Sequence, residues 1–107
     1  MYNEGTIIAL SSPPGSGAIS IIRLSGKDSI SKTDKFFESK SGKKLKDCNG
    51  YSISYGNFLV NKEVLDEVVI SLYKGPHSYT GEDVVEISCH GSNYIQQEII
   101  SSFTSSG

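Results

Sequence analysis

Between Val84 and His90 the side chains alternate in kind. Val85, Ile87 and Cys89 fall on one face, and Val84, Glu86, Ser88 and His90 on the other. Period-two patterning with three polar residues on one side predicts a strand that packs on its apolar face only. The polar face is then left to water or to a ligand. Four further stretches read as strands. Thr6–Leu10 is a short apolar run, and residues 18–24 place Ile19, Ile21 and Arg23 on one face and Ser20, Ile22 and Leu24 on the other. Tyr51–Val60 alternates, and residues 64–74 carry Val68, Ile70 and Leu72 on one face. The turn residues Asn61, Lys62 and Glu63 join the last two as an antiparallel hairpin.

Two stretches carry a helical period instead. Ser25-Gly26-Lys27-Asp28 has the form of a capping box and predicts a helix over 27–38, with Ile30, Phe36 and Phe37 as its apolar stripe. Over 92–103, Ile95, Ile99 and Phe103 recur at i, i+4 and i+8. The order is strand, strand, helix, three strands, helix. It predicts one α+β domain over 1–107: a mostly antiparallel sheet of about five strands, with two helices packed on one face. Residues 11–17 form a Ser/Pro/Gly loop, and Gly75-Pro76, Ser78, Thr80 and Gly81 mark a second. At His90-Gly91-Ser92 a strand feeds a helix, and free backbone N–H groups there suit an anion.

Composition narrows the function. At 107 residues with 36% hydrophobic content, the chain suits a fragment or a domain that buries surface against a partner. The net charge of −2 gives no global basic field for nucleic acid. The lysine-rich run from Lys27 to Lys46 is interleaved with Asp28, Asp34, Glu38 and Asp47, which reads as a solvated face. No apolar run reaches membrane-spanning length and no secretory segment follows Met1, so a soluble, cytoplasmic protein is expected, with Cys48 and Cys89 as thiols. Cys89 and His90 are adjacent on a strand and point apart, so no metal site is expected. The string Gly-x-x-x-x-Gly-Lys-Ser/Thr does not occur, so this chain alone should not bind GTP. Arg23, flanked by Ile21, Ile22 and Leu24, needs an anionic or hydrogen-bonding partner if buried, or else reaches to water at the strand end.

Two long motifs carry a resemblance. One is Ser78-Tyr79-Thr80-Gly81-Glu82-Asp83-Val84-Val85-Glu86, followed by Cys89-His90-Gly91. The other begins Thr6-Ile7-Ile8-Ala9, passes through Pro13-Pro14-Gly15-Ser16-Gly17 and ends with Ile-Ser-Ile-Ile-Arg-Leu-Ser-Gly from Ile19 to Gly26. Together they resemble the front of the tRNA-modifying GTPases known as MnmE or TrmE. The resemblance implies an N-terminal domain similar to the folate-binding domain of glycine-cleavage aminomethyltransferases. In that family the front domain binds 5-formyltetrahydrofolate or a related tetrahydrofolate and forms a homodimer. The full-length enzyme hydrolyses GTP with magnesium and potassium at sites beyond this chain. With the flavoprotein MnmG it installs an aminomethyl-type group on C5 of the wobble uridine of tRNA. An Ala-Arg-x-Ala-x-Pro-Gly-Glu-Phe-type segment would follow residue 107, so the chain reads as a C-terminally truncated fragment without the GTPase and helical domains.

The resemblance also places Arg23 and Glu86 on folate-binding positions. A carboxylate such as Glu86, mid-strand on the polar face, can accept from the adjacent N–H donors of a pterin edge. Ser88 and His90 would line the same face, while Glu82 and Asp83 face water or cap their loop. No catalytic residue is expected in this chain. Three alternatives remain open: an Arg23–Glu86 salt bridge with no ligand, a free-standing small-molecule-binding domain, and a dimerisation module that has lost its ligand.

Overall fold

The computed structural model describes residues 2–3, 6–11, 18–75 and 82–105, and for Tyr2 and Asn3 the backbone only. The expected turn around Ser78, Thr80 and Gly81 and most of the 11–17 loop lie outside the described residues. The strands are β1 (Tyr2–Asn3), β2 (Thr6–Leu10), β3 (Ile19–Gly26), β4 (Phe37–Ser39), β5 (Tyr51–Val60), β6 (Glu63–Tyr73) and β7 (Val84–His90). The helices are α1 (Ser29–Asp34) and α2 (Asn93–Ser105), and a single 3₁₀ turn spans Leu45–Asp47. All strand pairs are antiparallel, in one sheet of seven strands ordered β1-β2-β3-β7-β6-β5-β4. The α+β reading holds, and the five expected strands are all present. The two additional ones, β1 and β4, have two and three residues at the sheet edges, too short to show alternation.

One face of the sheet is closed by the helices. Ser20, Ile22 and Leu24 of β3, Val68, Ile70 and Leu72 of β6, and Val85, Ile87 and Cys89 of β7 are buried there, against Ile99 and Phe103 of α2 and Ile30 of α1. Each fully buried aliphatic or aromatic side chain contributes about 1.5–3 kcal/mol relative to exposure. The α2 stripe follows the expected period, with Ile95 partly buried beside Ile99 and Phe103. A polar contact crosses the same seam: Gln96 Nε2 donates to Ser20 Oγ at 2.5 Å, and both residues are buried.

The first helix departs from expectation. It covers Ser29–Asp34, not 27–38, and its N-cap is Asp28 without a side-chain cap bond. Ser25 belongs to β3, and Gly26 turns the chain at φ 131°. The Phe36-Phe37 pair fits a helical stripe with Ile30, but each ring is taken by another element. Phe37 enters β4 opposite Phe58, and the Phe36 ring lies 5.5 Å from that of Phe58 and 5.2 Å from that of Phe103. Asp34 then closes the 3₁₀ turn, accepting from the N–H groups of Leu45 (2.8 Å) and Lys46 (3.2 Å). Its neighbour β4 approaches β5 at Gly56, where a Cβ would sit 2.1 Å from the Glu38 carbonyl oxygen.

The β5–β6 hairpin turns on Asn61 and Lys62, both at positive φ (53° and 69°), as a tight two-residue connection requires. Just beyond it Phe58 pairs with Asp66 but Leu59 with Val64, so Leu65 is an extra residue in β6. Beyond the bulge Asp66 shares the buried face with Val68, Ile70 and Leu72.

Candidate functional site

Among the described residues, the opposite face of the sheet carries no helix. Its centre is the β3–β7 ladder, where Arg23 stands directly across from Glu86. Arg23 donates to Glu86 Oε2 through both Nε (2.9 Å) and Nη2 (2.5 Å). The side chains are 38% and 20% exposed, so the pair is lined up by the sheet yet open to water. Both nitrogens converge on one oxygen. Glu86 Oε1 and Arg23 Nη1 therefore have no partner among the described residues and remain for a third group. An ion pair this open contributes roughly 0.2–1 kcal/mol to stability.

The rows beside this pair follow from register. Ser71 of β6 lies next to Glu86, and Ile53 of β5 next to Ser71. On the Val84 side, Tyr73 and Tyr51 are neighbours across β6 and β5, with ring centroids 6.1 Å apart and nearly edge to face. A hollow of about 440 Å³ is lined by Tyr51, Ile53, Ser71 and Tyr73. Val84 belongs to the open face by alternation but is buried, in register between Tyr73 and Ser25. The other row places Ser88 between Ile21 and Val69. Exposed apolar side chains are frequent on this face, Ile7, Ile19, Tyr51, Ile53 and Tyr55 among them.

His90 ends the same stripe. Its backbone N–H donates to Asp66 Oδ2 at 2.8 Å, and its Nδ1 lies 2.6 Å from Asp66 Oδ1. The Asp66 side chain is 6% exposed and the imidazole 72%. Asp66 was not singled out from the sequence. Its signal is a charged residue two positions before Val68 on an otherwise apolar stripe.

Around the junction at Gly91 and Ser92 several backbone N–H groups are already taken. Gly91 N–H reaches the Ala18 carbonyl, Ser92 N–H that of His90, Gln96 N–H that of Ser92, and Ile95 N–H the Ser92 hydroxyl. Ser92 thus caps α2 internally. Asp83 caps its loop, accepting from Gly75 N–H at 2.9 Å. Cys48 and Cys89 are free thiols, and burial pushes Cys89 up to about 11, with Asp66 adding to the effect. No cluster of metal-ligating side chains occurs among the described residues. Within the lysine-rich run, Lys40 pairs with Glu67 at 3.5 Å and sits 5.7 Å over the Tyr55 ring. Among the described residues no helix is long and apolar enough to cross a membrane.

Sequence comparison gives this arrangement a lineage. Over 100 residues the chain is 48% identical to a tRNA modification GTPase MnmE of Flavobacterium johnsoniae, covering 94% of this chain and 22% of that protein. It is 48% identical over 104 residues to the protein of that name in Parabacteroides distasonis, covering 95% and 23%. To that of Clostridioides difficile it is 44% identical over 91 residues, covering 85% and 20%. The chain thus spans about a fifth of the length of these relatives. The model of the family described as the N-terminus of the GTP-binding protein TrmE matches residues 6–107, and the chain belongs to that family.

Proposed function

We propose that this domain binds a tetrahydrofolate one-carbon donor on its open sheet face and dimerises. It would serve as the front part of a cytoplasmic GTPase that modifies C5 of the wobble uridine of tRNA together with MnmG. The observation that carries the reading is the Arg23–Glu86 pair. Arg23 holds Glu86 by one oxygen, so Oε1 is oriented and available for a pterin N–H, while Nη1 is available for a ring carbonyl or a tail carboxylate. The hollow beside Tyr51, Ile53 and Tyr73 offers apolar and aromatic surface for the flat ring. Exposed Ile7, Ile53 and Tyr55 give the same face the apolar character that a second copy would cover.

Charge-assisted hydrogen bonds contribute about 1.5–3 kcal/mol each. Glu86→Gln should therefore weaken 5-formyltetrahydrofolate binding at least about tenfold while the fold survives. Calorimetry on the complete front domain tests this, and equal affinity in both proteins would remove Glu86 from the site. Sedimentation equilibrium tests the dimer, which a monomer at high concentration would exclude.

A further inference from the structure

We propose that Asp66 and His90 form a subsite for the tail of the ligand. Asp66 positions the imidazole so that its Nε2 accepts a hydrogen bond from the amide N–H joining the aminobenzoyl ring of a folate to its glutamate. The inference rests on the folate reading above and goes beyond the Arg23–Glu86 pair.

The tautomer comes first. A carboxylate only accepts hydrogen bonds, so the ring nitrogen 2.6 Å from Asp66 Oδ1 carries the proton. In the neutral ring the other nitrogen, Nε2, then presents a lone pair, and it has no partner among the described residues. His90 is tied at two points to one buried side chain, through its backbone N–H and through Nδ1. An imidazole with 72% of its surface exposed is therefore held in one orientation.

The surroundings fit an aryl amide. A hollow of about 220 Å³ adjoins the ring, lined by Ala18, Ile19, Glu67, Val69, Ser88 and His90. A cavity of about 150 Å³ admits one benzene ring. Glu86, Ser88 and His90 follow one another on the same face of β7, and four residues at a strand's rise of about 3.3 Å put Glu86 and His90 roughly 13 Å apart. A bicyclic ring, a methylene-amine link and an aryl ring laid end to end bridge that gap. Glu67, paired with Lys40 at 3.5 Å, lines the far end, where the amide faces His90 and the glutamate projects to water.

Two measurements on the full chain test this. In ¹⁵N NMR the neutral form of the wild-type His90 ring should be the Nδ1–H tautomer. The Nε2–H tautomer would overturn the proposal, whatever the ligand does. Calorimetry then compares 5-formyltetrahydrofolate with 5-formyltetrahydropterin, which lacks the tail. His90→Ala should lose about tenfold for the first and nothing for the second. Asp66→Asn still offers one acceptor to the His90 N–H, but its amide donates to Nδ1 and inverts the tautomer, so it should lose as much. Unchanged binding of the folate by these variants, or a parallel loss for the pterin, defeats the subsite and leaves the Arg23–Glu86 site standing. If neither compound binds the wild type, the folate reading falls and takes this one with it.

Discussion

Gln96 of α2 and Ser20 of β3 meet by an amide-to-hydroxyl hydrogen bond of 2.5 Å, buried in the seam between helix and sheet. Apolar packing alone would let α2 slide along its stripe. A buried polar contact fixes one register, because a donor displaced from its acceptor is left without water. Ser20→Ala should cost about 1–3 kcal/mol in urea unfolding. Combining it with Gln96→Leu should recover part of that loss. A single variant within a few tenths of wild type would show that the contact does not set the helix position.

Cys89 should resist alkylation. Its thiol is buried, donates to the Ser20 carbonyl at 3.6 Å, and ionises only near pH 11. The thiolate is the reactive form, so at about pH 8 iodoacetamide should modify the half-buried Cys48 first, and Cys89 only after denaturation. The sign of the linked stability follows. The folded thiol titrates above its ordinary 9.0, so this contribution is complete below pH 9 and is lost as pH rises towards 11. Mass spectrometry showing both cysteines modified at equal rates in the native state would contradict it.

Gly56→Ala should detach the β4 edge. The added methyl would lie 2.1 Å from the Glu38 carbonyl, a backbone atom that cannot move without breaking the β4–β5 ladder. Overpacking of this kind costs about 3 kcal/mol or more. An unchanged urea midpoint, or unaltered amide exchange at Ser39 and Lys40, would mean that β4 is not held there.

No GTP binding is expected from this chain, since it contains no phosphate-cradling glycine-lysine loop. Saturable binding of a fluorescent GTP analogue at micromolar protein would overturn that.

Much of the architecture could be read from side-chain period. The five long strands, the hairpin turn at Asn61 and the α2 stripe all announce themselves, and Arg23 and Glu86 were each assigned to the faces they occupy. What stayed hidden depends on contacts distant in sequence. Phe36 and Phe37 look helical beside Ile30 until Phe58 and Phe103 compete for them. Asp66 shares the parity of Val68, Ile70 and Leu72, but its partner is a histidine 24 positions away, which side-chain period cannot show. The apparent capping box failed because Ser25 is the better strand residue once β7 pairs with it.

The strand order has a bearing on how the molecule is made. β7 is the last strand in the chain, yet it lies between β3 and β6 at the middle of the sheet. Until it arrives, β2–β3 and β5–β6 are two hairpins with no common ladder. Arg23 leaves the ribosome 63 residues before Glu86, so a growing chain carries one half of the ion pair until β7 is made. The Arg23–Glu86 pair therefore forms in one step, with the insertion of the central strand. A ligand gripped by both residues would act as a rivet across that closure, stabilising finished molecules and ignoring incomplete ones.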